Sequence, residues 1–147
     1  MRETLIHAAE GQKVWALILE QGEEAMACLK AFAARERLSA ASFKAIGAFS
    51  EADLSFFDWE SKRYEPIPVR EQVEVASLTG DVALEPDGTP AVHVHAVLGR
   101  RDGSAAAGHL ERGLVRPTLE IVLSEAPAHL RKRKDPDSGL MLIASGG

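Results

Sequence analysis

One segment of the chain, "GEEAMACLKAFAARERL" at residues 22–38, repeats apolar groups at helical spacing through Met26, Leu29, Phe32 and Ala33. Before it stands "KVWALILE" (13–20), a short apolar run of strand formers, so the sequence opens with a strand followed by a helix. Glu23 and Glu24 fall in the predicted first turn and Arg35 and Arg37 in the last, which suits the helix dipole.

After residue 38 the texture changes to strands: 42–50, 52–59, 64–69, 73–84, 91–99 and 114–125, with "LMLIA" (140–144) as a final one. Turn signals separate them, among them Glu85-Pro86-Asp87-Gly88-Thr89-Pro90 and Arg101-Asp102-Gly103. Consecutive strands with short turns predict largely antiparallel pairing, mixed where the helix crosses over. Pro66 and Pro68 cannot donate to a ladder, which demotes their segment to an edge or an irregular strand. At 147 residues, with no repeat or linker, the chain reads as a single domain over 1–147.

Charge and cysteine use narrow the function classes. The net charge of -5 argues against sequence-independent attraction to nucleic acid phosphates, which grows with the number of neutralising Lys and Arg. The one dense basic run, Arg131-Lys132-Arg133-Lys134, reads as a solvated loop flanking a strand. A single cysteine, Cys28, cannot form an intramolecular disulfide, and no apolar stretch approaches the ~20 residues of a membrane span. These features, with an N-terminus that lacks a signal-peptide apolar core, lead us to expect a cytoplasmic protein. Cys28 reads as a small buried residue of the helix.

The chemistry concentrates in residues 91–113, which hold three of the five histidines. On a strand His93, His95 and Val97 face one way and Val92, Val94 and Ala96 the other. The two imidazoles start about 6.6 Å apart, from a rise of ~3.3 Å per residue. That spacing lets both reach one ion at ~2.0–2.1 Å. His109 follows the turn-forming "DGSAAAG", where Gly108 permits a backbone that brings it back toward the strand. Three imidazoles with a fourth position open resemble catalytic zinc sites, and iron, nickel or manganese would also be held. The competing reading makes His93 and His95 exposed polar residues of a half-buried sheet and His109 a turn residue. His7 and His129 have no clustering partner nearby in sequence.

"EVASLTGDVALEPDGTPAVHVHAVLGRRDGSAAAGHLERGLVRPTLEIVL" (74–123) resembles the PPC domain, the plants and prokaryotes conserved domain. The likeness rests on a "SLTG" strand, a "DG.P..H.H" hairpin, a "GHL..G" loop and a closing strand with "T.E". Outside that stretch it is looser, through "ALILEQGEE" and "GAFSEADLSFFD". In the family's "GGHL" the first glycine is replaced by Ala107, which a left-handed backbone angle would strain.

The resemblance implies an α/β (α+β) domain with a curved, mostly antiparallel mixed sheet and one main helix packed on it, assembled as a homotrimer. It implies a divalent-metal site, zinc-type, at His93, His95 and His109. It also carries a family label of DNA binding, although the Arg-Gly-Arg-Pro core of an AT-hook is absent here. More distantly the fold is similar to that of acetolactate decarboxylase, and that likeness offers a second function: a metal-dependent enzyme on a small carboxylated or carbonyl substrate. For a supporting or acid–base role the candidates are Glu120, at the "T.E" position, and Glu74; Arg100, Arg101, Arg112 and Arg116 are candidates to steady an anion.

Overall fold

The computed structural model describes residues 1–144, so the last three positions of the domain expected over 1–147 lie outside the described residues. The helix, α1 (Ala25–Arg35), is shorter than the periodicity predicts because both ends are fixed by local chemistry. Glu24 is its N-cap, accepting the N–H groups of Met26 at 3.0 Å and Ala27 at 2.7 Å. Glu23 therefore stands outside the first turn and pairs with the N-terminal ammonium instead. At the other end Arg37 takes a left-handed angle, φ +53°, which no helix continues. Leu29, Phe32 and Ala33 are buried, and the Phe32 ring meets Trp15 edge-on at 5.3 Å.

The rest is mostly β. Strands β1 (Arg2–Ala9) and β2 (Gln12–Glu20) precede the helix. After it come β3 (Ala40–Asp58), β4 (Arg63–Val69), β5 (Val73–Leu84), β6 (Pro90–Gly99), β7 (Ala105–Glu125), β8 (Lys132–Lys134) and β9 (Met141–Ile143). The N-terminal strand escapes sequence reading because a register shift between Leu5 and His7 breaks its alternation. The segments expected at 42–50 and 52–59 are one strand, β3, with Ala41, Phe43 and Ala45 facing the core and Ser42, Lys44 and Ile46 facing out.

Seven strands run in the order β1-β2-β7-β6-β5-β3-β4, and a further pairing of β7 with β3 closes β3, β5, β6 and β7 into a ring. Burying residues such as Phe49, Leu54, Leu98 and Leu119 inside it contributes about 1.5–3 kcal/mol each. Every pairing between these strands is antiparallel, and the one parallel contact among the described residues is the isolated bridge Leu84–Arg131. The mixed sheet expected from the crossover is thus corrected. The helix joins β2 to β3, both antiparallel to β7, which lies between them. The crossover therefore links strands of like direction without pairing them. Proline-bearing β4 is an edge strand, as its composition demands.

The basic run is a second correction. Arg131, Arg133 and Lys134 are exposed as expected, but Lys132–Lys134 is strand β8, paired with β9, rather than a loop, and Lys132 is buried at 8% exposure. The predicted strand at 140–144 corresponds to β9. Cys28 is half-buried against the core, and burial pushes its thiol pKa up, which keeps it unreactive.

Candidate metal centre

Alternation along β6 does what the sequence predicts: Val94, Ala96 and Leu98 are buried, while His93 and His95 project from the other face. The third histidine arrives differently. His109 sits inside β7, directly opposite His95 in the β6–β7 ladder, rather than on a returning loop. Cross-strand neighbours on one face have Cβ atoms about 4.5–5.5 Å apart, so pairing alone brings the two rings together. The turn before β7 is confined to residues around Arg101–Ser104, where Asp102 accepts from Ser104.

Gly108 therefore acts through space, not through a special backbone angle. A Cβ there would meet the Ser55 carbonyl oxygen of β3 at 2.6 Å, so only glycine lets β7 lie this close to β3 beside the histidine. Ala107 lies in extended strand and carries none of the left-handed strain feared from the family pattern.

The three ring centroids are 5.0, 5.0 and 5.5 Å apart, and one nitrogen from each ring lies within 4.8 Å of the others. A tetrahedral ion with bonds of ~2.0–2.1 Å holds its nitrogens about 3.3 Å apart, so ring rotations closing about 1.5 Å at most complete the set. Three further observations fit a cation. Burial, then the His93 charge, lowers the pKa of His95, with Asp81 opposing. Burial also lowers that of His109, opposed by Glu111 and reinforced by His93, His95 and Lys132. Neutral imidazole is the ligating form. Moreover, His109 Nδ1 is buried with no hydrogen-bond partner among the described residues.

Two carboxylates that the sequence did not single out flank the rings. Asp81 is opposite His93 in the β5–β6 ladder, with Oδ2 3.7 Å from His93 Nδ1. A small approach makes it the orienting acceptor that leaves Nε2 of His93 for an ion. Glu111 Oε1 is 3.9 Å from His109 Nε2 and accepts from the buried Ser55 hydroxyl at 2.8 Å. Asp81 is invisible without the strand register, since only pairing sets it opposite His93, and Glu111, two residues after His109 in β7, is hidden because residues 100–113 read as a turn rather than a strand.

The triad opens onto a cleft of about 730 Å³, walled by Phe57, Tyr64, Val92, Met141 and Leu142, with Lys132 also lining it. The Tyr64 ring lies 5.1 Å from that of His109 and 5.3 Å from that of Phe57. The other sequence candidates lie elsewhere. Glu74 and Glu120 come together along a separate groove beside Ile46, on the outer face of the sheet. Arg100 pairs with Glu71, and it and Arg101 line another depression. Arg112 pairs with Glu51 and Asp53, Arg116 is exposed, and none of the four arginines lines the cleft. His7 and His129 are exposed and outside the cluster.

Solved structures share this whole architecture. One from Pyrococcus horikoshii, a plant- and prokaryote-conserved (PPC) protein, is 30% identical, with a TM-score of 0.82 over 99% of this chain and 96% of that one. A metal-containing protein from Archaeoglobus fulgidus is 30% identical, with a TM-score of 0.82 over 90% of this chain and 94% of that one. A protein from Bacteroides thetaiotaomicron described as a "putative dna binding protein" is 27% identical, with a TM-score of 0.84 over 97% and 96% of the two chains. A Staphylococcus aureus protein of unknown function, similar to alpha-acetolactate decarboxylase, shares the fold alone: 15% identity, TM-score 0.56, over 76% of this chain and 51% of that one. Among curated proteins none matches. The Plants and Prokaryotes Conserved (PCC) domain model matches residues 6–127, and the chain belongs to that family.

Proposed function

We propose that this chain is a metal-dependent binding protein: His93, His95 and His109 hold one divalent ion, zinc-type, and the ion faces the cleft to receive a small ligand. The observation that carries this reading is the convergence of three imidazole nitrogens within 4.8 Å at the floor of a cleft of about 730 Å³. The volume lies within the ~300–1,000 Å³ of small-molecule sites. The metal-containing relative from Archaeoglobus fulgidus adds support.

A second reading, a metal-dependent enzyme on a carboxylated or carbonyl substrate, draws on the same open cleft. When bound there, the ion would act as a Lewis acid toward a substrate oxygen. Asp81 and Glu111 would then be the carboxylates nearest the histidines, orienting rings or carrying a proton. Glu120 and Glu74, offered by the sequence for that role, would act on the outer face instead, where they line a groove with Ile46.

DNA association, carried by the description of the Bacteroides relative, has weaker support from the residues. The net charge is -5, and Lys132 of the basic run is turned into the cleft. Assembly as a homotrimer, implied by the family resemblance, is part of the proposal, and the exposed apolar Ile46, Val97 and Val122 are surface that such an assembly has available to bury. No described helix is long and apolar enough to cross a membrane, and a cytoplasmic location is part of the proposal.

Elemental analysis of protein purified without a metal-affinity tag tests the central claim, beside a His93→Ala, His109→Ala double variant. Close to one metal per parent chain and none per variant chain is expected. No metal in either, even after incubation with zinc, removes the reading.

A further inference from the structure

The C-terminal hairpin, β8 (Lys132–Lys134) with β9 (Met141–Ile143), begins beyond residue 127, where the family match ends. It nevertheless builds one wall of the cleft, through Lys132, Leu140, Met141 and Leu142. Of these, Lys132 is the anomaly. It is 8% exposed, yet no carboxylate lies within ion-pair distance of its ammonium among the described residues.

Nearly all of this side chain is buried while it lines the cleft, and a lysine so placed is ordinarily paired with a carboxylate. Lys132 lines the same cleft as the three histidines. Glu85 also lines the cleft but does not reach it within ion-pair distance. The remaining walls are aromatic or aliphatic: Phe57, Tyr64, Val92, Leu140, Met141 and Leu142.

We infer that Lys132 is the anion anchor of the cleft, and that the ligand is a small monocarboxylate with an apolar body whose carboxylate lies between Lys132 and the histidine-held ion. A carboxylate meets Lys132 with one oxygen and the ion with the other, and the residues lining the cleft include no arginine fork or helix N-terminus to hold the further oxygens of a phosphoryl group. The apolar walls select for hydrocarbon on the rest of the ligand. The inference rests on the metal reading only for the second partner of the carboxylate.

The test uses octanoate and phenylacetate, each against its neutral amide, titrated calorimetrically into full-length protein with zinc bound and after zinc removal. Both acids should bind more tightly than their amides in both forms. Lys132→Met should keep its zinc content and melting temperature and bind the acids about ten- to hundredfold more weakly, the loss of one charge-assisted contact. Lys132→Arg should keep the preference for acid, and Lys132→Gln replaces the Met variant if that one does not fold. Equal binding of acid and amide by the zinc-loaded parent overturns the inference, as does an unchanged acid preference in Lys132→Met. Zinc missing from the parent overturns the metal reading alone, because the metal-free titrations still report on Lys132.

Discussion

Gly108→Ala probes the contact that sets the third histidine in place. The added Cβ would stand 2.6 Å from the Ser55 carbonyl oxygen. Carbon–oxygen contacts between strands settle at about 3.3–3.6 Å, so β7 must withdraw from β3 by roughly 0.7 Å or more. Backbone meets backbone here, with no flexible side chain to yield, and forced overpacking of this kind costs about 1–3 kcal/mol. For a domain of this size that lowers the melting temperature by about 3–12 °C. His109 is the next residue, so the same withdrawal moves a proposed ligand and loosens the set. The assay is a thermal melt in the presence of chelator, paired with zinc competition against a chromogenic chelator. Stability should fall in the first and zinc affinity in the second. A variant that melts within a degree of the parent and competes for zinc equally well would refute the reasoning, for the close approach would then be doing nothing.

Four other outcomes are expected, the last from the family resemblance alone. Burial lowers the pKa of both His95 and His109, so the folded protein takes up protons less readily than the unfolded chain; metal-free stability should stay flat above about pH 6.5, the ordinary histidine value, and decline below it, and a melting temperature that rises on acidification through that range contradicts the assignment. Glu24→Ala removes the acceptor for Met26, Ala27 and Gly113 at 3.0, 2.7 and 3.0 Å, and should cost about 2 kcal/mol by chemical denaturation; a loss below about 0.5 kcal/mol would show the cap to be dispensable. Gel shifts with duplex DNA should give no complex even at low salt, and a salt-sensitive shift by the purified protein would restore direct contact. Light scattering at micromolar concentration should give three times the mass of 15.8 kDa, and a monomer would remove the trimer.

Much of the site was legible because side-chain alternation is a local property of a strand. "HVH" puts His93 and His95 on one face whatever the rest of the molecule does, and the burial of Val94 and Ala96 agrees. The same reasoning gave the edge position of β4 from its two prolines and the core face of α1 from Met26, Leu29, Phe32 and Ala33. It failed where a signal was nonlocal. Gly108 and Ala107 look like loop residues in sequence, yet β7 runs through them because β6 pairs with residues 105–109 and β3 joins the ladder at His109.

What the sequence by itself determined, then, was the helix and most of the strands after it, the paired histidines and the lack of an intramolecular disulfide, all fixed by periodicity, turn chemistry and residue count. Tertiary structure decided who meets whom. Register set His109 opposite His95 and Asp81 opposite His93, and the ring closure between β3 and β7 made Gly108 obligatory. One lysine of a charge run that locally reads as solvated surface became part of a cleft wall once β8 paired with β9. Backbone pairing between distant segments carries no signature in either segment alone, and so the lysine that faces the histidines became visible only in the folded chain.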